Sequence, residues 1–347
     1  MRISAIESLR GFAALYVFAG HLALISFEKG EIWGWPFRFG QEAVMLFFLI
    51  SGFVIMYSME TSEDKSFSRY LRHRFFRIYP IFLFSLLLSY WLARPDTLLH
   101  FAGNLLMLQD FGYAKPGVIV NPFAGNTPLW SLSYEWWFYL MFYPIYQLVA
   151  ERSRLFLITA AAVIAVIAYN ATYWQPLLFL AYFPIWWCGA EIGLAVKRNT
   201  PIPFARIFTA LAILTATFAI YAVIELLKRD ALFFGLHPAL ELRHAGASLA
   251  MVAALFMVRN SFFIEKPNWL LAPFSPFAPI SYGIYALHYP IIAAIYPTDM
   301  PMAAKLVITI LTVFVVAWFA EGPYQRLALR AQFLWKFARA RRADKSA

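Results

Sequence analysis

Two residues in the first long apolar run, SLRGFAALYVFAGHLALI from Ser8 to Ile25, are of types that hydrocarbon penalises and chemistry uses: Arg10 and His21. Eleven positions separate them. At about 100° per residue the rotation between them is about 1100°, about 20° past three whole turns, so a helix presents both on one side. At about 1.5 Å of rise per residue they stand about 16 Å apart along the axis. An Arg near a helix end can extend its charge to the interface, and a His can bond a neighbouring helix for packing alone. Their shared face favours one lined tunnel with Arg10 at its inner mouth and His21 in its outer half.

The run PLWSLSYEWWFYLMFYP places Glu135 about one and a half turns inside its own span, at the depth of His21. A carboxylate beside an imidazole fixes the tautomer and favours the protonated form, which suits a general base. A hydrogen-bonded His21–Glu135 pair is therefore expected as the catalytic centre, against a purely structural buried pair. In RYLRHRFFRIYP, Arg74 and Arg77 are three apart and share a helix face. Guanidiniums there suit an anionic ligand, since Arg grips phosphate oxygens in a fixed fork, although such a cluster is also an ordinary cytoplasmic anchor. His288 in ISYGIYALHYP is placed to line the cavity of His21 or to bond a neighbouring helix. Ser51 and Gly52 in FFLISGF fit close helix packing, with Ser51 available to a ligand. Trp130 and Tyr134 are the expected cavity aromatics, and Glu321 is expected to pair with an Arg of the mouth.

These residues need membrane helices to hold them. Of 347 residues, 62% are hydrophobic and 14% charged, the composition of a chain that crosses a membrane many times. Apolar stretches at 5–27, 41–58, 75–93, 127–149, 155–170, 174–196, 204–227, 244–259, 275–297 and 303–322 predict an all-α bundle of about ten spans. Lys and Arg favour one set of alternate loops by about two to one, which puts both termini in the cytoplasm. The net charge of +10 is then topology and a lipid-facing basic tail, not a nucleic-acid surface. Residues 1–325 form one membrane domain and 326–347 the basic cytoplasmic tail. The connection 94–126 is long enough to shape a substrate site, and Leu98, Phe101, Leu105 and Leu108 predict a short interfacial helix within it. The single cysteine, Cys188, excludes an intrachain disulfide, and no metal is expected.

The Arg-ten-residues-His pattern of Arg10 and His21, with FFLISGF, RFFRIYP and LWSLSYEWWFY in that order, resembles the integral-membrane acyltransferase family 3 over nearly the whole chain. Members O-acylate cell-surface glycans, lipids and other molecules. The resemblance implies a multi-pass protein of the bacterial cytoplasmic membrane that takes an acetyl or other short acyl group from cytoplasmic acyl-coenzyme A. Arg10, Arg74 and Arg77 would hold the coenzyme's phosphates, and its extended arm would carry the thioester toward His21. The acceptor would be a hydroxyl of a surface or lipid-linked glycan. In place of the soluble esterase-like domain that many members append stands a short basic tail, so acceptor recognition is expected from the outer loops, chiefly 94–126, or from a partner. Direct transfer with His21 as base and a transient acyl-histidine both fit. The rival from another class is a transporter or flippase of a glycan or lipid-linked sugar; a structural anchor leaves Arg10, His21 and Glu135 unexplained.

Overall fold

A computed structural model describes residues 4–26, 37, 39–92, 96–262 and 270–329. The basic tail beyond Leu329 lies outside the described residues. Eleven α-helices and no strand are present among those described: α1 (Ser4–Ser26), α2 (Gly40–Thr61), α3 (Phe67–Leu92), α4 (Leu98–Leu105), α5 (Trp130–Leu148), α6 (Glu151–Thr172), α7 (Pro176–Arg198), α8 (Phe204–Arg229), α9 (Ala239–Phe262), α10 (Ser281–Ile295) and α11 (Met302–Phe319). Apart from α4, each coincides with one expected span. Among the described residues eight helices are long and apolar enough to cross a membrane, and α1 at 23 residues and α5 at 19 have the length to accompany them. The chain is a multi-pass membrane protein.

Three departures from the expected bounds have a local reason. Helix α3 starts eight residues before the apolar stretch at 75, because Ser66 accepts a hydrogen bond from the Arg69 amide and opens the helix within the charged run. Charge ends a hydropathy window but not a helix. The interfacial helix α4 is only eight residues long: Thr97 caps its start, and Met107, at φ +55°, turns into the left-handed region and stops it before Leu108. Leu98 and Leu99 on it are exposed, as a helix at an apolar interface requires. The ninth expected span is split, since Pro273, Pro276 and Pro279 deny it the amide donors of an α-helix. A 3-10 stretch, Ala272–Ile280, therefore precedes α10.

Close backbone approaches bring the site-bearing helices together. A Cβ on Gly52 of α2 would lie 1.9 Å from the Trp186 carbonyl oxygen of α7, so only glycine allows that crossing. A Cβ on Gly11 would lie 2.0 Å from the Phe274 carbonyl oxygen, which presses α1 onto the 3-10 stretch beside Arg10. Prolines inside α3 and α10 free carbonyls that hydrocarbon cannot satisfy, and side chains take them. Gln325 donates to the Phe76 carbonyl four residues before Pro80. Ser85 Oγ (2.6 Å) and Asn126 Nδ2 (3.2 Å) donate to the Ala286 carbonyl four residues before Pro290.

The long loop after α4 is pinned by a charge pair that has no access to water. Lys115 Nζ lies 3.0 and 3.2 Å from the two Asp110 carboxylate oxygens and 3.1 Å from the Tyr134 hydroxyl, which itself donates to Asp110 at 2.6 Å. The ammonium also sits 4.3 Å from the centre of the Trp130 ring. At the loop's entry, burial alone would raise the Asp96 carboxyl, but the amides of Ala124 and Thr97 and the His100 ring hold it below the usual carboxylate range. Removing one partner of the buried pair strands the other charge, so Lys115→Met should cost about 3–5 kcal/mol. Thermal unfolding in detergent should show a lowered midpoint for Lys115→Met, and Asp110→Asn combined with it should recover part of the loss; equal midpoints for wild type and Lys115→Met would contradict this role.

Candidate active site

Helix α1 presents Arg10 and His21 to two separate cavities. Arg10 lines a cavity of about 290 Å³ together with Arg74 and Arg77 of α3, Ser51 of α2, Glu135 and Tyr139 of α5, and Ser281, Tyr282 and Tyr285 of α10. His21 lines a second one, of about 320 Å³, with Gln41 of α2, Phe111 and Thr127 of the long loop, Trp130 of α5, and Tyr285 and Tyr289 of α10. Tyr285 borders both. A third space, of about 410 Å³, lies between the α2 end and the α3 start, with Ser58, Ser62, Arg69 and His73 in its wall, and shares Arg74 with the first.

The arginine cavity follows from local chain chemistry. The Ala278 carbonyl, in the proline-rich 3-10 stretch, accepts from Arg10 Nη2 at 3.0 Å and from Ser281 Oγ at 2.8 Å, and Arg10 Nε donates to Ser281 Oγ at 3.2 Å. Arg77 meets Glu321 at 2.9 Å, as expected of that carboxylate. The other Glu321 oxygen accepts from the amides of Tyr282 and Gly283, both at 3.0 Å, so one carboxylate fixes a guanidinium and caps α10. Arg74 is held more loosely: its guanidinium reaches Ser58 Oγ at 3.5 Å, lies 5.7 Å from the Tyr70 ring centre, and leaves a buried Nε without a partner. Three guanidiniums thus face one cavity whose wall holds the Glu135 carboxylate. That balance favours an anionic guest.

Glu135 is not hydrogen-bonded to His21. Its Oε1 accepts from Ser51 Oγ at 2.8 Å and from the Tyr139 hydroxyl, while Trp186 Nε1 donates to Ser51 Oγ at 3.2 Å. The expected pair rested on equal depth, and depth does not determine which way a side chain turns about its helix axis. Glu135 turns to α2, whereas His21 turns to α10. Its Nδ1 lies 3.0 Å from the Val17 carbonyl and 3.2 Å from Nε2 of His288. His288 is fully buried and stands behind His21 instead of lining its pocket.

The remaining expected residues divide. Arg10, Arg74 and Arg77 come together, and Ser51 joins them in the arginine cavity. Trp130 lines the histidine pocket. Tyr134 is fully buried and lines neither cavity, because its hydroxyl is taken by Asp110 and Lys115. Sequence reasoning did not single out Tyr139, Ser281, Tyr282, Tyr285 or Gln41. Tyr139 was findable, four residues after Glu135 and hence on its helix face. The Tyr285 hydroxyl donates to the Pro128 carbonyl at 2.6 Å and lies 2.6 Å from Ser131 Oγ, contacts that depend on the fold of the long loop.

Comparison with known proteins agrees with this architecture. A family profile described as an acyltransferase domain, acyltransferase family 3, matches residues 3–321. The chain is 36% identical over 213 residues to acyltransferase MdmB of Streptomyces mycarofaciens, a match covering 56% of this chain and 45% of that protein. The match thus spans under half the length of that relative. It is also 25% identical over 304 residues to the membrane-bound transacylase BcsY of Komagataeibacter xylinus, covering 82% of this chain and 72% of that one. No solved structure matches. With a cation-lined cavity and a histidine pocket set in a bundle of membrane helices, and with the profile covering nearly its whole length, the chain belongs to the integral-membrane acyltransferase family 3.

Proposed function

We propose that this membrane acyltransferase moves an acetyl or other short acyl group from cytoplasmic acyl-coenzyme A to a hydroxyl of a surface or lipid-linked glycan, at the bacterial cytoplasmic membrane. The observation that carries the reading is a row of three neighbouring spaces that share lining residues, Arg74 between a basic basin and the arginine cavity and Tyr285 between that cavity and the histidine pocket. The coenzyme's phosphates pair with Arg74 and the neighbouring cations of the basin and cavity, and its narrow acyl-bearing arm extends toward Tyr285. The N-terminus and the α2–α3 connection then face the cytoplasm, in keeping with the positive charge of Lys65, Arg69, Arg72 and Arg74. The names of both relatives, an acyltransferase and a transacylase, support the reaction class.

In the proposed reaction an acceptor hydroxyl enters the histidine pocket and gives its proton to His21 Nε2. Its oxygen attacks the thioester carbonyl, the carbon–sulfur bond breaks, and the coenzyme leaves as a thiolate that regains a proton from the imidazolium. Glu135 acts from the donor side: its carboxylate offsets part of the charge of three guanidiniums and holds Ser51 and Tyr139 in the cavity wall. The acceptor is a glycan by family likeness; the aromatic walls of the histidine pocket, Trp130, Phe111, Phe37 and Tyr289, suit the apolar face of a sugar ring.

Proteoliposomes given radiolabelled acetyl-coenzyme A and glycolipid extract should transfer label to the extract, and extract that stays unlabelled with active protein would count against the reaction. Within that assay His21→Ala should lower kcat about 100-fold or more, the scale of general-base removal, with KM for acetyl-coenzyme A nearly unchanged. Wild-type turnover by His21→Ala at normal abundance would remove His21 from the chemistry. Arg74→Gln should instead raise KM for acetyl-coenzyme A about tenfold, the scale of one charged hydrogen bond, while leaving kcat within a few fold. An unchanged KM would place the phosphates elsewhere.

A further inference from the structure

Inside α10, and not on α5 as the sequence suggests, stands the group that can orient His21. Two carbonyls, which can only accept, fix the tautomers of both rings. His288 Nδ1 lies 2.8 Å from the Ile284 carbonyl, so that nitrogen carries a proton, and in the neutral ring Nε2 is then an acceptor. His21 Nδ1 lies 3.0 Å from the Val17 carbonyl, so it too carries the proton. The two rings meet at His21 Nδ1 and His288 Nε2, 3.2 Å apart, with centres 4.9 Å apart. Only one direction satisfies all three contacts: His21 donates from Nδ1 to Val17 and His288 together, and His288 donates to Ile284.

We propose that His288 is a positioning residue for catalysis, the acceptor that holds His21 as its Nδ1–H tautomer and leaves the Nε2 lone pair to the pocket. The inference rests on His21 being the base of the proposed reaction. When His21 takes the acceptor's proton at Nε2, the Nδ1–H bond to His288 becomes charge-assisted and stronger, so His288 stabilises the imidazolium at the moment it forms. A carboxylate serves this purpose in many hydrolases; here a second, neutral imidazole serves it. The neutral partner suits the place. An ionised carboxylate behind His21 would have to be desolvated there, a cost that a neutral imidazole avoids.

The backbone of α10 carries the support. His288 is fully buried, packed against Phe18 with ring centres 5.8 Å apart. Four residues earlier, Ile284 supplies the carbonyl that fixes its tautomer, and Ala286, between them, is tied to α3 and the long loop by Ser85 and Asn126. Tyr289 meets the His21 ring edge-on at 5.4 Å, closing the other side. The imidazole of His21 is thereby held from behind and beside while it lines the pocket.

Two measurements test this. Nitrogen-15 solid-state spectra of histidine-labelled protein in lipid, assigned by comparison with His21→Gln, should show His21 protonated on Nδ1 and bare on Nε2; a proton on Nε2 overturns the proposal whether or not transfer activity is found. In the acetyl-transfer assay, His288→Met, which fills the space without an acceptor, should lower kcat about tenfold, the worth of one charge-assisted hydrogen bond, with KM for acetyl-coenzyme A unchanged. His288→Gln, whose amide oxygen can stand in for Nε2, should stay within about threefold of wild type, and on a His21→Ala background His288→Met should cause no further loss, as expected of residues that act as a unit. Equal losses in the Met and Gln variants, or an additive loss with His21→Ala, would make His288 a packing residue only. An active His21→Ala would instead remove the base itself, so the two ideas fail separately.

Discussion

A proline in the middle of α10 sets the constraint on which the site depends. Pro290 has no amide hydrogen, so the Ala286 carbonyl loses its helical donor at a depth where water cannot replace it. Ser85 and Asn126 supply donors at 2.6 and 3.2 Å, and Asn126 also donates to Ser85 and Ser89 at 3.0 and 3.1 Å. One missing hydrogen bond is in this way converted into a three-way junction between α10, α3 and the end of the long loop. The junction lies beside Tyr285, which borders both cavities, and two residues before His288, which touches His21. A helix free to rotate would give those side chains no fixed direction.

Charge in the arginine cavity obeys a similar rule of compensation. Each guanidinium that enters the bundle has a different degree of restraint: Arg10 is bound to a carbonyl and a hydroxyl, Arg77 to the buried Glu321, and Arg74 only weakly to Ser58. The first two are fixed by contacts that also define α10 and the 3-10 stretch, so they serve the fold and the cavity together. Arg74, shared between the basin and the cavity, keeps a buried Nε without a partner. In the proposed function it is the guanidinium least committed to the fold and so the most available to the donor's phosphates.

Much of this was legible in the sequence because it depends on one helix at a time. The span positions, the common face of Arg10 and His21, the nearness of Arg74 to Arg77 and the partnership of Glu321 with an arginine follow from periodicity and from the cost of charge in hydrocarbon. What failed required knowledge of rotation between helices. Equal depth matches Glu135 with His21, yet α5 turns its carboxylate to Ser51 and α1 turns its imidazole to His288. Tyr134 looked like a cavity aromatic because nothing in its neighbours along the chain announces Asp110 and Lys115. The apolar spacing of Leu98 to Leu108 likewise could not show the left-handed Met107 that ends α4.

The separation of Glu135 from His21 changes what the two cavities mean. A single tunnel with a His–Glu centre would place donor and acceptor chemistry in one space, open at both ends. Here the arginine cavity and the histidine pocket are distinct, and Tyr285, anchored to Pro128 and Ser131, stands where they adjoin. In the proposed reaction, bulk at either end stays in its own compartment, the phosphates among the arginines and the acceptor beside His21. Only the acyl group, small and apolar, has to reach the boundary. In that reading a site so divided needs no path wide enough for a whole sugar, as a transporter would. In the proposed reaction the division also gives the three turns between Arg10 and His21 a purpose, since one faces the donor's cavity and the other the acceptor's pocket.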